Sequence, residues 1–237
     1  MDKIINSFVY QHVLQTGMPN PNIPAYMSET YGQCYEDIII DSMIRAHVKT
    51  NGSPNGITYI EVGANHPVCC STNFLLQKRY GITGILVEAN PALVPALQKY
   101  RPNDQIINKA VVDNNQQTVD FYISANNETS SLDDRFVSIR TPGIEEKITV
   151  STIRMNTLLE IVKPFDLVML SIDVEGYDLQ LLKDIDFVQY RPFIIQVEPS
   201  EDYSPGNTQD IIDFLASNNY ELVAETDVNL IFQDGTK

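Results

Sequence analysis

Thr58-Tyr59-Ile60-Glu61-Val62-Gly63-Ala64-Asn65-His66-Pro67 decides the reading of this chain. The run Tyr59, Ile60 and Val62 meets an acid and passes directly into a Gly63-Ala64-Asn65 turn, as a buried strand does when the chain must reverse sharply. Beyond it Ser71 is placed to cap a helix, Thr72 to Tyr80 carries apolar groups at helical spacing, and Gly81 stands at the C-cap. Strand, glycine turn and helix in that order open a nucleotide-binding α/β sheet. The crevice at the carboxyl edge of such a sheet receives an adenosine group, with Gly63 letting the ligand approach the backbone.

The chain has 237 residues, 43% of them hydrophobic, enough to bury one sizeable core. Pro19, Pro21 and Pro24 forbid a continuous helix near the start, so residues 1–34 read as an arm or lid and 35–237 as the main domain. Such an arm can cross to a neighbouring subunit, which makes a homo-oligomer an expectation. A net charge of −15 repels phosphate backbones and anionic lipid surfaces, so nucleic acid is not expected as a partner. Cys34, Cys69 and Cys70 are odd in number and lack a paired CxxC spacing, the pattern of reduced thiols in a cytoplasmic protein. No apolar run approaches the roughly 20 residues of a membrane span, so membrane insertion is not expected.

From Tyr35 to Val48, Ile39, Ile40, Met43, Ile44 and Val48 recur at three- and four-residue steps and predict a helix. Ile82 to Glu88 is a second buried strand ending in an acid, followed by Asn90 as N-cap and Pro91 at the first helical position. Strands are predicted at Gln105 to Val112, Thr118 to Ser124, Lys147 to Ile153, Asp166 to Ile172 and Phe193 to Val197. The polar stretch 126–146 reads as a mobile loop over the crevice. Tyr220 to Ala224 and Val228 to Phe232 pair as a hairpin. Five parallel strands with helical crossovers and this hairpin give a doubly wound α/β sheet with one reversed strand.

Acids stand at four strand ends: Glu61, Glu88, Asp173 with Glu175, and Glu198. Glu88 lies about 25 residues beyond Gly63, where a carboxylate takes the two ribose hydroxyls of a bound nucleotide. The turn lacks the second and third glycines of a G-x-G-x-x-G pyrophosphate site and carries His66-Pro67 instead, which disfavours NAD. S-adenosylmethionine needs no pyrophosphate site, and its sulfonium and ammonium suit an acid-rich crevice. A nucleotide-linked oxidoreductase and a non-catalytic adenosine-binding module stay open as alternatives.

Glu61-Val62-Gly63-Ala64-Asn65, Val87-Glu88-Ala89-Asn90-Pro91, Asn108-Lys109-Ala110-Val111, Ser130-Ser131-Leu132 and Ile172-Asp173-Val174-Glu175-Gly176 resemble, in that order, the motifs of the FkbM family of S-adenosylmethionine-dependent methyltransferases. Tyr31 to Asp37 and His66-Pro67 are similar to one branch of that family, and the resemblance covers roughly 31–232. It implies a Rossmann-like, seven-stranded class I fold and O-methylation of a sugar hydroxyl in a surface glycan or nucleotide-linked saccharide, or of a small natural-product hydroxyl. It also implies that Glu61, Gly63, Ala64 and Asn65 flank the methionine portion, Glu88 the ribose, and Asn108 to Ala110 the adenine edge. Glu61 replaces the family's usual aspartate, and Tyr177-Asp178 stands where the branch often has His-Glu, so Tyr177 reads as helix packing.

Methyl transfer needs the acceptor oxygen aligned behind the sulfonium methyl and made more nucleophilic. Two routes are open. His66, on the turn, has a pKa suited to a general base. Alternatively Asp173, Glu175 or Glu198 holds a divalent cation, Mg²⁺ or Mn²⁺, with Asp173 and Glu198 as ligands on adjacent strands, or these acids bond the acceptor hydroxyl directly. Asp173 carries chemistry under either route. Tyr10, Tyr26, Tyr31 and Tyr35, with loop 126–146, are candidates for a platform that stacks on a sugar face.

Overall fold

Strands that are apolar from end to end must be covered on both faces, and this places them in the centre of the sheet. The computed structural model describes residues 29–51, 53–125, 127–140 and 144–236. In it β1 (Ile57–Val62), β7 (Leu167–Ile172) and β8 (Ile194–Val197) bury every residue and lie side by side. β2 (Ile85–Val87) and β3 (Gln105–Ile107) extend the sheet on one side, and β9 (Tyr220–Glu225) and β10 (Leu230–Asp234) on the other. The order is β3-β2-β1-β7-β8-β10-β9, with β10 antiparallel to both its neighbours. This is the doubly wound, seven-stranded, mostly parallel sheet with one antiparallel strand from a C-terminal hairpin.

Alternate side chains on each strand point to opposite faces, and each face has its own helical layer. Tyr59, Leu86, Met169 and Ile231 meet α1 (Glu36–Asn51), α2 (Phe74–Tyr80) and α3 (Val94–Tyr100) through Ile40, Ile44, Leu76 and Leu97. On the other face, Ile60, Leu170, Ile195 and Phe232 pack with α5 (Met155–Val162), α6 (Asp178–Asp184) and α7 (Asn207–Ser217). Gly81 closes α2 in the left-handed region at φ 66°, its N–H donating to Gln77 O.

Several local expectations give way to tertiary context. The single strand expected over Gln105 to Val112 is two: after β3 the chain leaves the main sheet, and β4 (Ala110–Val112) joins a separate sheet of order β4-β6-β5 with β6 (Ile144–Arg154) and β5 (Thr118–Ser124). Within the described part of stretch 126–146, Asn127, Glu128, Ser130 and Leu132 line the crevice, and α4 (Asp134–Arg140) follows with Phe136 and Val137 wholly buried. Leu132, Phe136 and Ile139 stand at helical spacing, a signal that the surrounding polar residues masked. Ser71 caps no helix; α2 begins at Phe74 and the Ser71 hydroxyl donates to Glu61 instead. Residues 91–93 are a turn before α3, in which the Asn90 side chain accepts from the Ala92 N–H at 3.0 Å. Of the arm, residues 1–28 with Tyr10 and Tyr26 lie outside the described residues. Tyr31 is core rather than platform: it is 3% exposed and stands edge-on to Phe74 at 4.8 Å.

Candidate active site

Parallel register brings the strand ends into one row. Ile107 pairs with Val87, Val87 with Val62, Val62 with Ile172, and Ile172 with Val197. The next residue on each strand is therefore Asn108, Glu88, Gly63, Asp173 and Glu198, side by side along the carboxyl edge. Gly63 N–H donates to Val87 O at 3.0 Å and Asp173 N–H to Val62 O at 3.0 Å, so the edge is stitched across three strands. At φ 83° Gly63 sits where side chains are disfavoured, and a Cβ there would fall 1.7 Å from Asp173 O.

Two chambers flank this turn. The first has an empty volume of about 630 Å³ and is walled by Val87, Leu93, Ala110, Phe121 and Leu132, with Glu88 at its rim. Apolar walls beside one carboxylate suit a flat nucleoside. Glu88 is 5% exposed; one oxygen accepts from Asn65 N–H at 2.8 Å and the other from Asn90 N–H at 2.7 Å. The Ala89 N–H also bonds this carboxylate, which leaves it an acceptor position for a further donor. Burial pushes its carboxyl up, and these backbone bonds oppose the shift. Asn108 does not line the chamber. Its amide donates to the carbonyls of Glu88 at 2.7 Å and Ala89 at 3.2 Å, stapling the β2 turn, while Lys109 and Ala110 supply the wall.

The second chamber, about 470 Å³, shares Val62, Gly63, Asn65 and Asp173 with the first and is lined mostly by polar groups. Glu61, Ser171 and Gln196 are register partners two residues before Gly63, Asp173 and Glu198, and all line this chamber. Ala64 and Asn65 complete the turn side. Glu61 accepts from Ser71 Oγ at 3.0 Å and Thr72 N–H at 3.2 Å. Its carboxyl is pushed up by burial and pulled back by Arg101. Arg101 is wholly buried; it pairs with Asp104 at 2.7 Å and reaches Tyr59, Pro67 O and Ser71, so it anchors the loop after the turn.

Asp173, which lines both chambers, Glu175, which lines the first, and Glu198, which lines neither, each offer a carboxylate oxygen, all within 4.8 Å of one another. Asp173 is raised well above the usual carboxylate range by burial first and by Glu198 second. Its Oδ1 is buried with no partner among the described residues. Glu175 is at φ 59°, a left-handed conformation unusual for glutamate; Ser131 Oγ donates to its carbonyl at 2.8 Å. Asp178 holds the same loop by accepting from Val174 N–H at 3.0 Å and Gly176 N–H at 3.1 Å.

His66 stands apart from this group. Its Nδ1 accepts from Cys69 N–H at 2.8 Å and Val68 N–H at 3.2 Å, burial lowers its pKa, and it lines neither chamber. Tyr177 donates to Asp113 at 2.7 Å at the start of α6. Cys34, Cys69 and Cys70 form no disulfide, and Cys69 Sγ lies 3.7 Å from Cys70 Sγ. None of the described helices is long and apolar enough to cross a membrane. Gln196 escaped the reading of the sequence, although a signal exists: the penultimate residue of three buried strands is polar, Glu61 in ITYIEV, Ser171 in LVMLSI and Gln196 in IIQV.

Comparison with known structures finds class I methyltransferases. The chain is similar to a TehB-like S-adenosylmethionine-dependent methyltransferase from Corynebacterium glutamicum at 12% identity, with 98% of this chain and 99% of that one covered and a TM-score of 0.44. It is similar to the N-terminal domain of human METTL16 in complex with S-adenosylhomocysteine at 10% identity, 98% and 81% coverage and a TM-score of 0.47. A Bacillus cereus O-methyltransferase in complex with S-adenosylhomocysteine matches at 11% identity, 98% coverage of both chains and a TM-score of 0.43. A search of curated proteins gives no match. The model of the methyltransferase FkbM domain matches residues 61–222, which takes in the glycine turn, the Glu88 rim and the Asp173 loop, and the chain belongs to the FkbM family of S-adenosylmethionine-dependent methyltransferases.

Proposed function

We propose that the protein transfers the methyl group of S-adenosylmethionine to a hydroxyl oxygen of a saccharide. On this reading the nucleoside occupies the apolar chamber with its ribose on Glu88, and the amino-acid end enters the polar chamber past Gly63, Ala64 and Asn65. The sulfonium then lies at the junction, facing Asp173. The observation that carries the proposal is the three-carboxylate group that includes Asp173. Neighbouring hydroxyls donate well to paired carboxylates, so Asp173, Glu175 and Glu198 align a polyol behind the methyl carbon. Burial and the neighbouring Glu198 push the Asp173 carboxyl up, which makes its ionised form a stronger base toward an acceptor hydroxyl. His66 is not assigned this task, because its Nδ1 is committed to the backbone.

The same three acids fit a hard divalent cation, since carboxylate oxygens within 4.8 Å of one another match an oxygen-ligated sphere. When bound there, Mg²⁺ or Mn²⁺ would acidify a ligated hydroxyl.

The test is methyl transfer to saccharides and to small natural-product alcohols, each with and without chelator, alongside Asp173→Asn. Turnover is expected on a saccharide and to fall at least ~100-fold in the variant, with S-adenosylhomocysteine binding retained. Full turnover in the variant overturns the role of Asp173. Turnover only on small alcohols replaces the substrate class. Binding of NADH without S-adenosylhomocysteine overturns the cofactor reading.

A further inference from the structure

The far wall of the polar chamber comes from outside the segment matched to the family. That match spans 61–222, whereas Glu36 opens α1 and Asn229 immediately precedes β10. Glu36 is 1% exposed, and three donors surround it. Cys34 N–H donates to Oε2 at 2.7 Å; Thr226 Oγ1 donates to Oε1 at 2.9 Å and Asn229 Nδ2 at 3.2 Å. An ionised carboxylate only accepts, so Glu36 dictates which way the Asn229 amide lies. The amide nitrogen is fixed on Glu36, and Oδ1 is left buried with no partner among the described residues.

Two more buried oxygens on this chamber have no partner among the described residues, Gln196 Oε1 and Asp173 Oδ1. Gln196 is 4% and Asn229 6% exposed, so bulk water does not serve them. Unmatched buried acceptors are costly, and three on one cavity favour an occupant that only donates. A primary ammonium offers three N–H donors and a positive charge, whereas a hydroxyl brings one donor and further acceptors.

We infer that Glu36 is a positioning residue which sets Asn229 as an ammonium acceptor, so that segment 29–36 and the β9–β10 turn complete a site for the cofactor's α-ammonium. The inference rests on the cofactor reading above. It explains why an acid is buried against Thr226 and Asn229, 190 or more residues away in the chain.

Two ligands separate this role from general support of the fold. S-adenosylhomocysteine carries the ammonium; 5′-methylthioadenosine keeps the nucleoside and lacks the amino-acid end. By calorimetric titration, Glu36→Gln and Asn229→Ala are each expected to weaken S-adenosylhomocysteine about tenfold and to leave 5′-methylthioadenosine within about twofold of wild type. Asn229→Ala keeps Glu36 bonded to Thr226 and Cys34, so it carries the test if Glu36→Gln does not fold. Equal weakening of both ligands, or no weakening of either, overturns the inference. A wild-type protein that binds neither ligand overturns the cofactor reading itself.

Discussion

Adding one methyl group at Gly63 is the sharpest perturbation this architecture offers. At φ 83° an alanine is strained by about 1–2 kcal/mol in the left-handed region. Its Cβ would also lie 1.7 Å from Asp173 O and 2.9 Å from the same carbonyl carbon, contacts that no side-chain rotation relieves because the obstacle is backbone. The end of β7 must then move, loosening the Gly63–Val87 and Asp173–Val62 hydrogen bonds, each 3.0 Å and each contributing about 1 kcal/mol. The sum is about 3–4 kcal/mol, and at roughly 2–4 °C per kcal/mol for a domain of this size Gly63→Ala should melt about 6–16 °C lower. Gly81→Ala is the matched control: it too has positive φ, at 66°, yet nothing lies within 4 Å of its Cβ. It should cost about 1–2 kcal/mol and roughly 2–8 °C. Circular dichroism melts of both variants, with S-adenosylhomocysteine titrations, provide the measurement. If Gly63→Ala melts with Gly81→Ala and binds like wild type, then close approach of β1 and β7 is not what the glycine provides.

Three further outcomes follow from the same structure. Glu88→Gln sets an amide N–H₂ against one of the two backbone donors, Asn65 or Asn90, so S-adenosylhomocysteine affinity should fall at least ~10-fold; calorimetry with unchanged affinity would remove Glu88 from the ribose. Arg101→Met leaves Asp104 buried without its cation and should cost about 3–5 kcal/mol in urea denaturation, whereas loss under about 1 kcal/mol would show the pair to be dispensable. Burial pushes the Asp37 carboxyl up to about 6 and the Asp178 carboxyl to about 7, from 3.8. The folded protein then keeps protons that the unfolded chain releases, so these groups make stability fall as pH rises from about 4 to about 7. Asp37→Asn and Asp178→Asn should each flatten that slope in urea melts across the range, and parallel curves for variant and wild type would contradict it.

The strand ends were legible because each is an apolar run that stops at an acid, and burial on both faces leaves such a run little choice of place. Glu88, Asp173 and Glu198 fell on one edge for that reason, and parallel register did the rest. Helix starts were less legible. Ser71 and Asn90 are good caps by residue type, but each found a different bond once the fold was formed: Ser71 with Glu61, and Asn90 with the turn at Ala92. His66 has the right chemistry for a base, and only coordinates reveal that its ring nitrogen is taken by the backbone of Val68 and Cys69.

What the amino-acid order alone determined is the alternation of buried strands with helices, hence a doubly wound sheet with an acid-lined edge. That information is local, carried by periodicity and by where apolar runs end. The tertiary structure decided which polar groups share a cavity. Glu36, Gln196 and Asn229 come together because β10 enters antiparallel beside β8 and α1 packs across the same face. No local pattern encodes that meeting: the energy of a buried hydrogen bond depends on distance in space, and chain separation leaves no mark on it.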